Sequence, residues 1–141
     1  MNLPFYSRQA TRIEWTSCTG ANKQNILLLL TRKEIPAQVP FAKKILRAVN
    51  IDFDEDIHFC THDDVTPISI LSDPHVLTHD TVIVFGIRPS QLGIYDRDHL
   101  ACQICSFENI TCLLAPSLQD VAADPELKKK LWDALQEIFR T

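Results

Sequence analysis

Residues 25–30 read Asn-Ile-Leu-Leu-Leu-Leu, an aliphatic run with no polar alternation. A strand with one wet face alternates apolar and polar side chains. An unbroken apolar run therefore marks a strand covered on both faces, the usual condition of a parallel sheet. Residues 57–60, 81–86 and 109–114 carry the same signature, strongest in Val82-Ile83-Val84-Phe85. After the first run, Pro40 suits a first helical turn. Phe41, Ala42, Ile45, Leu46 and Val49 then recur at helical spacing, with Asn50 as a stop. Covered strands alternating with helices predict an α/β fold, a three-layer α/β/α sandwich with a mostly parallel central sheet of about four strands.

The C-terminal quarter supplies helix starts. Ser117-Leu118-Gln119-Asp120 has capping-box spacing with Asp in place of Glu. Asp124 is an N-cap residue type, Pro125 fits the first helical position, and Glu126 sits at the positive helix end. Leu127, Leu131, Leu135, Ile138 and Phe139 form a stripe at a 3.6-residue period. Trp132 is assigned to the face of Leu135 and Phe139, which predicts burial against the sheet. Residues 61–80 and 89–99 show no clear period, and residues 99–106 fit helix or strand equally.

The chain has 141 residues, 45% hydrophobic and 23% charged, which fits one domain with a real core. Its first 24 residues are mostly polar, with one apolar pair, Ile13 and Trp15, and end in a loop-like Thr19-Gly20-Ala21-Asn22-Lys23-Gln24. A segment this polar cannot bury enough surface to fold alone. The division expected is a mobile leader at 1–24 and a domain at 25–141. Trp is a favoured anchor in partner pockets, so Ile13 and Trp15 are the candidate partner-binding residues.

Net charge is −4, and the basic clusters are short. Lys128-Lys129-Lys130 reads as a solvated helix face, so tight, direct nucleic-acid binding is not expected. No signal peptide is visible, and no apolar stretch is long enough to span a bilayer. Five cysteines without framework spacing suggest a reduced, cytoplasmic setting and no required disulfide.

Several residues have the right types for chemistry without the right company. Cys102-Gln103-Ile104-Cys105 is a CxxC without a second ligand pair, read as core cysteines. His58-Phe59-Cys60-Thr61-His62 and the pair His75 and His79 are read as solvated loop histidines. A zinc-protease motif would need Glu at position 76, which is Val. Asp52-Phe53-Asp54-Glu55-Asp56 reads as a solvated loop. No phosphate-binding loop or nucleophile elbow occurs. The expectation is no catalytic residue, no cofactor and no metal.

Two turns resemble those of uracil-DNA glycosylases. Gly86-Ile87-Arg88-Pro89 looks like that family's Gly-x-Asp/Asn-Pro turn, and Ala115-Pro116-Ser117-Leu118 looks like its His-Pro-Ser-Pro. Arg88 stands where the water-orienting Asp or Asn would be, and Ala115 where the base-stabilising His would be. The alternative function is thus a nucleic-acid enzyme of this kind or an inactive relative.

A wider resemblance covers both ends of the chain. Pro116-Ser117-Leu118, then Asp124-Pro125, then Leu131-Trp132 resemble the closing segment of the psi subunit of bacterial DNA polymerase III holoenzyme. Ile13-Glu14-Trp15 ahead of the first strand matches the Ile and Trp of that family's leader. Thr16-Ser17-Cys18-Thr19 departs from the basic residues that follow there. The resemblance implies a non-catalytic adaptor in DNA replication. Its leader would order on the clamp-loader ATPase subunits, and its body would bind a chi-like subunit.

Overall fold

In the computed structural model the described residues are 18–32, 37–62, 74–86, 102–107 and 109–139. Ile13, Trp15, Arg88 and His99 lie outside them. The chain runs β1 (Ile26–Thr31), α1 (Val39–Arg47), β2 (Ile57–His62), a 3₁₀ turn (Val76–Thr78), β3 (Thr81–Phe85), β4 (Gln103–Phe107), β5 (Ile110–Ala115), α2 (Leu118–Ala123) and α3 (Pro125–Ile138). The architecture is α/β, with a five-stranded, mostly parallel sheet in the order β2-β1-β3-β5-β4 flanked by helices. β1 pairs in parallel with β2 and β3, and β3 pairs in parallel with β5. The four strands expected from the sequence all belong to the sheet. The ambiguous stretch supplies the fifth, β4, antiparallel to β5 at the far edge.

The unbroken aliphatic runs divide by period two. Ile26, Leu28, Leu30, Ile83, Phe85 and Leu113 face a core cluster that also holds Ala42 and Leu46 of α1, Leu118 and Val121 of α2, and Leu131 and Leu135 of α3. Leu27, Leu29, Val82, Val84, Cys112 and Leu114 face a second cluster with Val76 of the 3₁₀ turn. The strand order accounts for this division. β1 to β2 moves one way across the sheet through α1, and β2 to β3 moves back past β1. Right-handed crossovers that run in opposite directions use opposite faces of a sheet. Val76 lies on the second face accordingly.

Helix ends follow the sequence signals. Ser117 Oγ accepts from the Asp120 N–H at 3.2 Å, and Asp124 Oδ1 accepts from the Glu126 N–H at 2.9 Å. Asn50 stops α1 in the left-handed conformation, φ 63°. The Ile51 N–H then returns to Leu46 O at 2.9 Å and the Asn50 N–H to Arg47 O at 3.0 Å. Those two bonds are a Schellman closure, with Asn at the position that usually takes Gly.

The described part of the expected leader, from Cys18 onward, is tied to the body. Thr19 and Phe59 exchange both backbone hydrogen bonds, at 2.9 and 2.8 Å, as an antiparallel bridge on the outer edge of β2. Ala21, Asn22, Lys23 and Gln24 then donate to the carbonyls of Asp54, Ile57, Glu55 and Asp56. The acidic loop that receives them is held by its own carboxylates. Asp52 Oδ1 accepts from the Asp54 and Glu55 N–H groups, and Asp56 Oδ2 from that of Asp52. Gly20 makes the close approach possible. Its φ is 102°, and an added Cβ would collide with the backbone carbonyl oxygen of Ile57. Gly20→Ala should therefore cost about 1–3 kcal/mol, read as a lower urea midpoint at unchanged slope.

Candidate functional site

Two regions bring chemistry-bearing or exposed apolar side chains together. The first is a groove of about 230 Å³ between α1 and α3, lined by Phe41, Ile45, Ala48, Val121, Leu131 and Trp132, with Lys44 and Lys128 on its rim. Trp132 was expected to be buried against the sheet. It is instead 39% exposed, the exposed large hydrophobic of the described residues. The reason is angular. One residue turns a helix by about 100°, so Trp132 stands that far round from Leu131, on the shoulder of the stripe. Leu131, Ala134 and Leu135 occupy the inward face, and the indole lies across the gap to α1.

The second region is built on β2. His58, Cys60 and His62 alternate along the strand, so all three project to the second face of the sheet. This corrects the reading of His58 and His62 as solvated loop histidines. His62 is fully buried at the C-terminal end of β2, and its Nε2–H donates to Phe85 O at 2.9 Å. That bond reaches across β1, because Thr31 is the register partner of His62.

Cys60 is joined to Cys18 by a disulfide, a pairing that the cysteine spacing did not suggest. Backbone geometry explains the pairing. Thr19 and Phe59 are the hydrogen-bonded pair of the antiparallel bridge, so Cys18 and Cys60 are the adjacent non-hydrogen-bonded pair. Such pairs bring Cα atoms to about 4.5 Å, and here the separation is 4.5 Å, within disulfide reach.

His58 lies beside this bridge and stacks on His79, ring centroids 5.3 Å apart. The hydrogen bonds fix the tautomers of the neutral rings. His79 Nδ1 lies 3.3 Å from Val76 O, which can only accept, so Nδ1 carries the proton. His79 Nε2 is then an acceptor, and His58 Nδ1 donates to it at 3.1 Å. His58 Nε2 lies 3.9 Å from Cys60 Sγ. Burial lowers both histidines below the usual 6.5, and for His58 the neighbouring imidazoles of His79 and His75 add to it. Both rings are neutral at pH 7. Among the described residues, Cys18, His58 and Cys60 are the group whose donor atoms converge, within 4.8 Å of one another.

The CxxC does not act as a pair. Three residues along extended chain reverse the facing, so Cys102 packs on the helix-covered core and Cys105 on the second face. Burial pushes the Cys102 thiol up to about 12. Cys105 meets Cys112 across the β4–β5 register. The Cys112 thiol donates to it, which holds Cys105 down at about 7 and raises Cys112.

Gly86 and Ala115, which open the stretches that resemble uracil-DNA glycosylase turns, lie at the ends of neighbouring strands. The Gly86 N–H donates to Ala115 O at 2.9 Å. Ala115 is buried and offers only a methyl group there. No helix among the described residues is long and apolar enough to cross a membrane. No protein-family model and no curated protein matches the chain.

Sequence reasoning missed Cys18, placed in a leader, and His79, read as a loop residue. The alternation His58-x-Cys60-x-His62 was the available signal, because a period of two in a strand collects side chains on one face. Nothing local in the sequence announces the partner, Cys18, 42 residues away.

Two measurements follow from this geometry. Cys18→Ser should lower the stability of the oxidised protein by about 2–4 kcal/mol in urea unfolding. The same substitution should leave the stability of the reduced protein nearly unchanged. Because the thiolate is the nucleophile, alkylation of Cys105 should rise as pH passes about 7. Cys102, at about 12, should stay unlabelled at pH 8 in a peptide-resolved mass spectrum.

Proposed function

We propose that this chain is a non-catalytic, cytoplasmic adaptor subunit of a replicative DNA polymerase clamp loader, linking clamp-loader ATPase subunits to a chi-like partner. The observation that carries the reading is Trp132, 39% exposed in an apolar groove. A half-exposed Trp among Phe41, Ile45 and Leu131 suits the anchor role that large aromatics play in interfaces. The residues behind the resemblance to the psi subunit build one unit. Pro116-Ser117-Leu118 turns from β5 into α2, Asp124-Pro125 starts α3, and Leu131-Trp132 sets one side chain in the core and the next in the groove.

In this reading the body and the leader bind different partners. The groove takes an apolar side chain of the chi-like subunit, with acidic neighbours facing Lys44 and Lys128. Ile13 and Trp15 engage the clamp-loader ATPase subunits. Cys18 and Thr19, fixed to β2, set the point from which the leader departs.

The test uses both tryptophans. Trp132→Ala should weaken binding of a purified chi-like subunit about thirtyfold or more while changing the urea midpoint little. Trp15→Ala should do the same to clamp-loader binding and leave the chi-like contact intact. Unchanged affinity in both variants, or release of uracil from a single-stranded oligonucleotide by the wild-type chain, overturns the adaptor reading.

A further inference from the structure

We propose that reduction of the Cys18–Cys60 bridge opens a site for one zinc-class divalent cation, ligated among the described residues by Cys18 Sγ, Cys60 Sγ and His58 Nε2. This inference does not rest on the adaptor reading.

Three observations carry it. The donors already converge within 4.8 Å, and His58 Nε2 is 3.9 Å from Cys60 Sγ. A tetrahedral zinc ion, with bonds of about 2.3 Å to sulfur and 2.0–2.1 Å to nitrogen, needs donors roughly 3.5–3.8 Å apart. The nitrogen is therefore almost in place, and the two sulfurs have only to part once their bond is broken. Second, the histidine is presented in the ligating form. Its Nδ1–H is engaged by His79 Nε2 at 3.1 Å, and His79 is in turn held by Val76 O. A ligating imidazole characteristically has its other N–H fixed in this way. Third, two thiolates and one imidazole are soft and borderline donors, which suit zinc and not magnesium or calcium. Cys18 and His58 are each partly exposed, which gives the ion and a reductant a route in.

The chemistry balances with an external dithiol as reductant. One of its thiolates attacks a sulfur of the bridge and forms a mixed disulfide. Its second thiol then displaces the protein sulfur. The reductant leaves as a cyclic disulfide, having supplied two electrons and two protons, and Cys18 and Cys60 are left as thiols. Binding of the cation releases those two protons to water, while His58 contributes a lone pair and loses none. Two thiolates offset the charge of the ion. Residue 18 is then joined to β2 through its side chain in two of three states, covalently when oxidised and through the ion when reduced and loaded. When reduced and empty, this stretch is held by its backbone hydrogen bonds alone.

The full chain, reduced with excess dithiol and freed of it under nitrogen, is titrated with Co²⁺ alone. One ion per chain is expected, with the visible bands of tetrahedral cobalt and thiolate-to-cobalt charge transfer, and Zn²⁺ should bleach both. The oxidised chain should show neither. His58→Ala and Cys18→Ser should each weaken uptake about a hundredfold or more, and Cys105→Ser should leave it unchanged. His79 is a positioning residue. His79→Phe should lower affinity about tenfold, and His79→Gln, which restores an acceptor, should recover it. Circular dichroism and urea unfolding of oxidised His58→Ala separate loss of a ligand from loss of the fold, and His58→Gln replaces it if it does not fold. No stoichiometric uptake by the reduced chain, equal uptake by the oxidised chain, or uptake indifferent to a folded His58 variant overturns the proposal.

Discussion

The structure depends on the complete burial of β1. Ile26 to Leu30 expose at most 2% of their surface, and the strand is hydrogen-bonded on both sides, to β2 and to β3. A strand in that position must be apolar on both faces and needs partners on both edges, so everything else is arranged around it. Alternate side chains seed the two core clusters. Large-to-small changes in such positions typically cost about 2–5 kcal/mol, of the order of a small domain's whole stability.

A sheet centred on one strand leaves its outer edges to be managed. An open edge is a template for unwanted pairing. At one end the antiparallel β4 shields β5. At the other, Thr19 caps the edge of β2 with a bridge and Cys18 pins it with a disulfide. The edge device and the convergence of Cys18, His58 and Cys60 are the same few atoms. A chain laid antiparallel on β2 puts residue 18 opposite residue 60, and the pleat puts residue 58 on the same face. His79 reaches them because the 3₁₀ turn ahead of β3 packs Val76 on that face.

The fold was largely legible because its signals are local. Both-face burial shows in the composition of five or six consecutive residues, and helix caps show in single side chains such as Ser117 and Asp124. β4 was not legible, because an edge strand lacks a partner on one side and carries a mixed pattern, Gln103-Ile104-Cys105-Ser106-Phe107. The Cys–His region was half legible. Its three β2 positions follow from period two, whereas Cys18 and His79 arrive through topology. Trp132 was misplaced because a stripe of helical period specifies a direction and not its width. A residue 100° from the centre lies on the boundary, and packing of the neighbouring helix decides it.

That boundary position gives the indole its significance. Had α1 packed closer to α3, the ring would have become core. Phe41 and Ile45 are only partly buried on the opposing helix, so a second unfilled apolar surface faces it. Lys44 and Lys128 flank the gap with their heads in water, and their alkyl stems can extend its apolar walls. In the adaptor reading, this groove with its aromatic wall, aliphatic floor and basic rim receives an apolar side chain with acidic neighbours. The same helix thus divides its work by angle. Leu131 and Leu135 hold the fold, and Trp132, one residue on from Leu131, stays 39% exposed beside the groove.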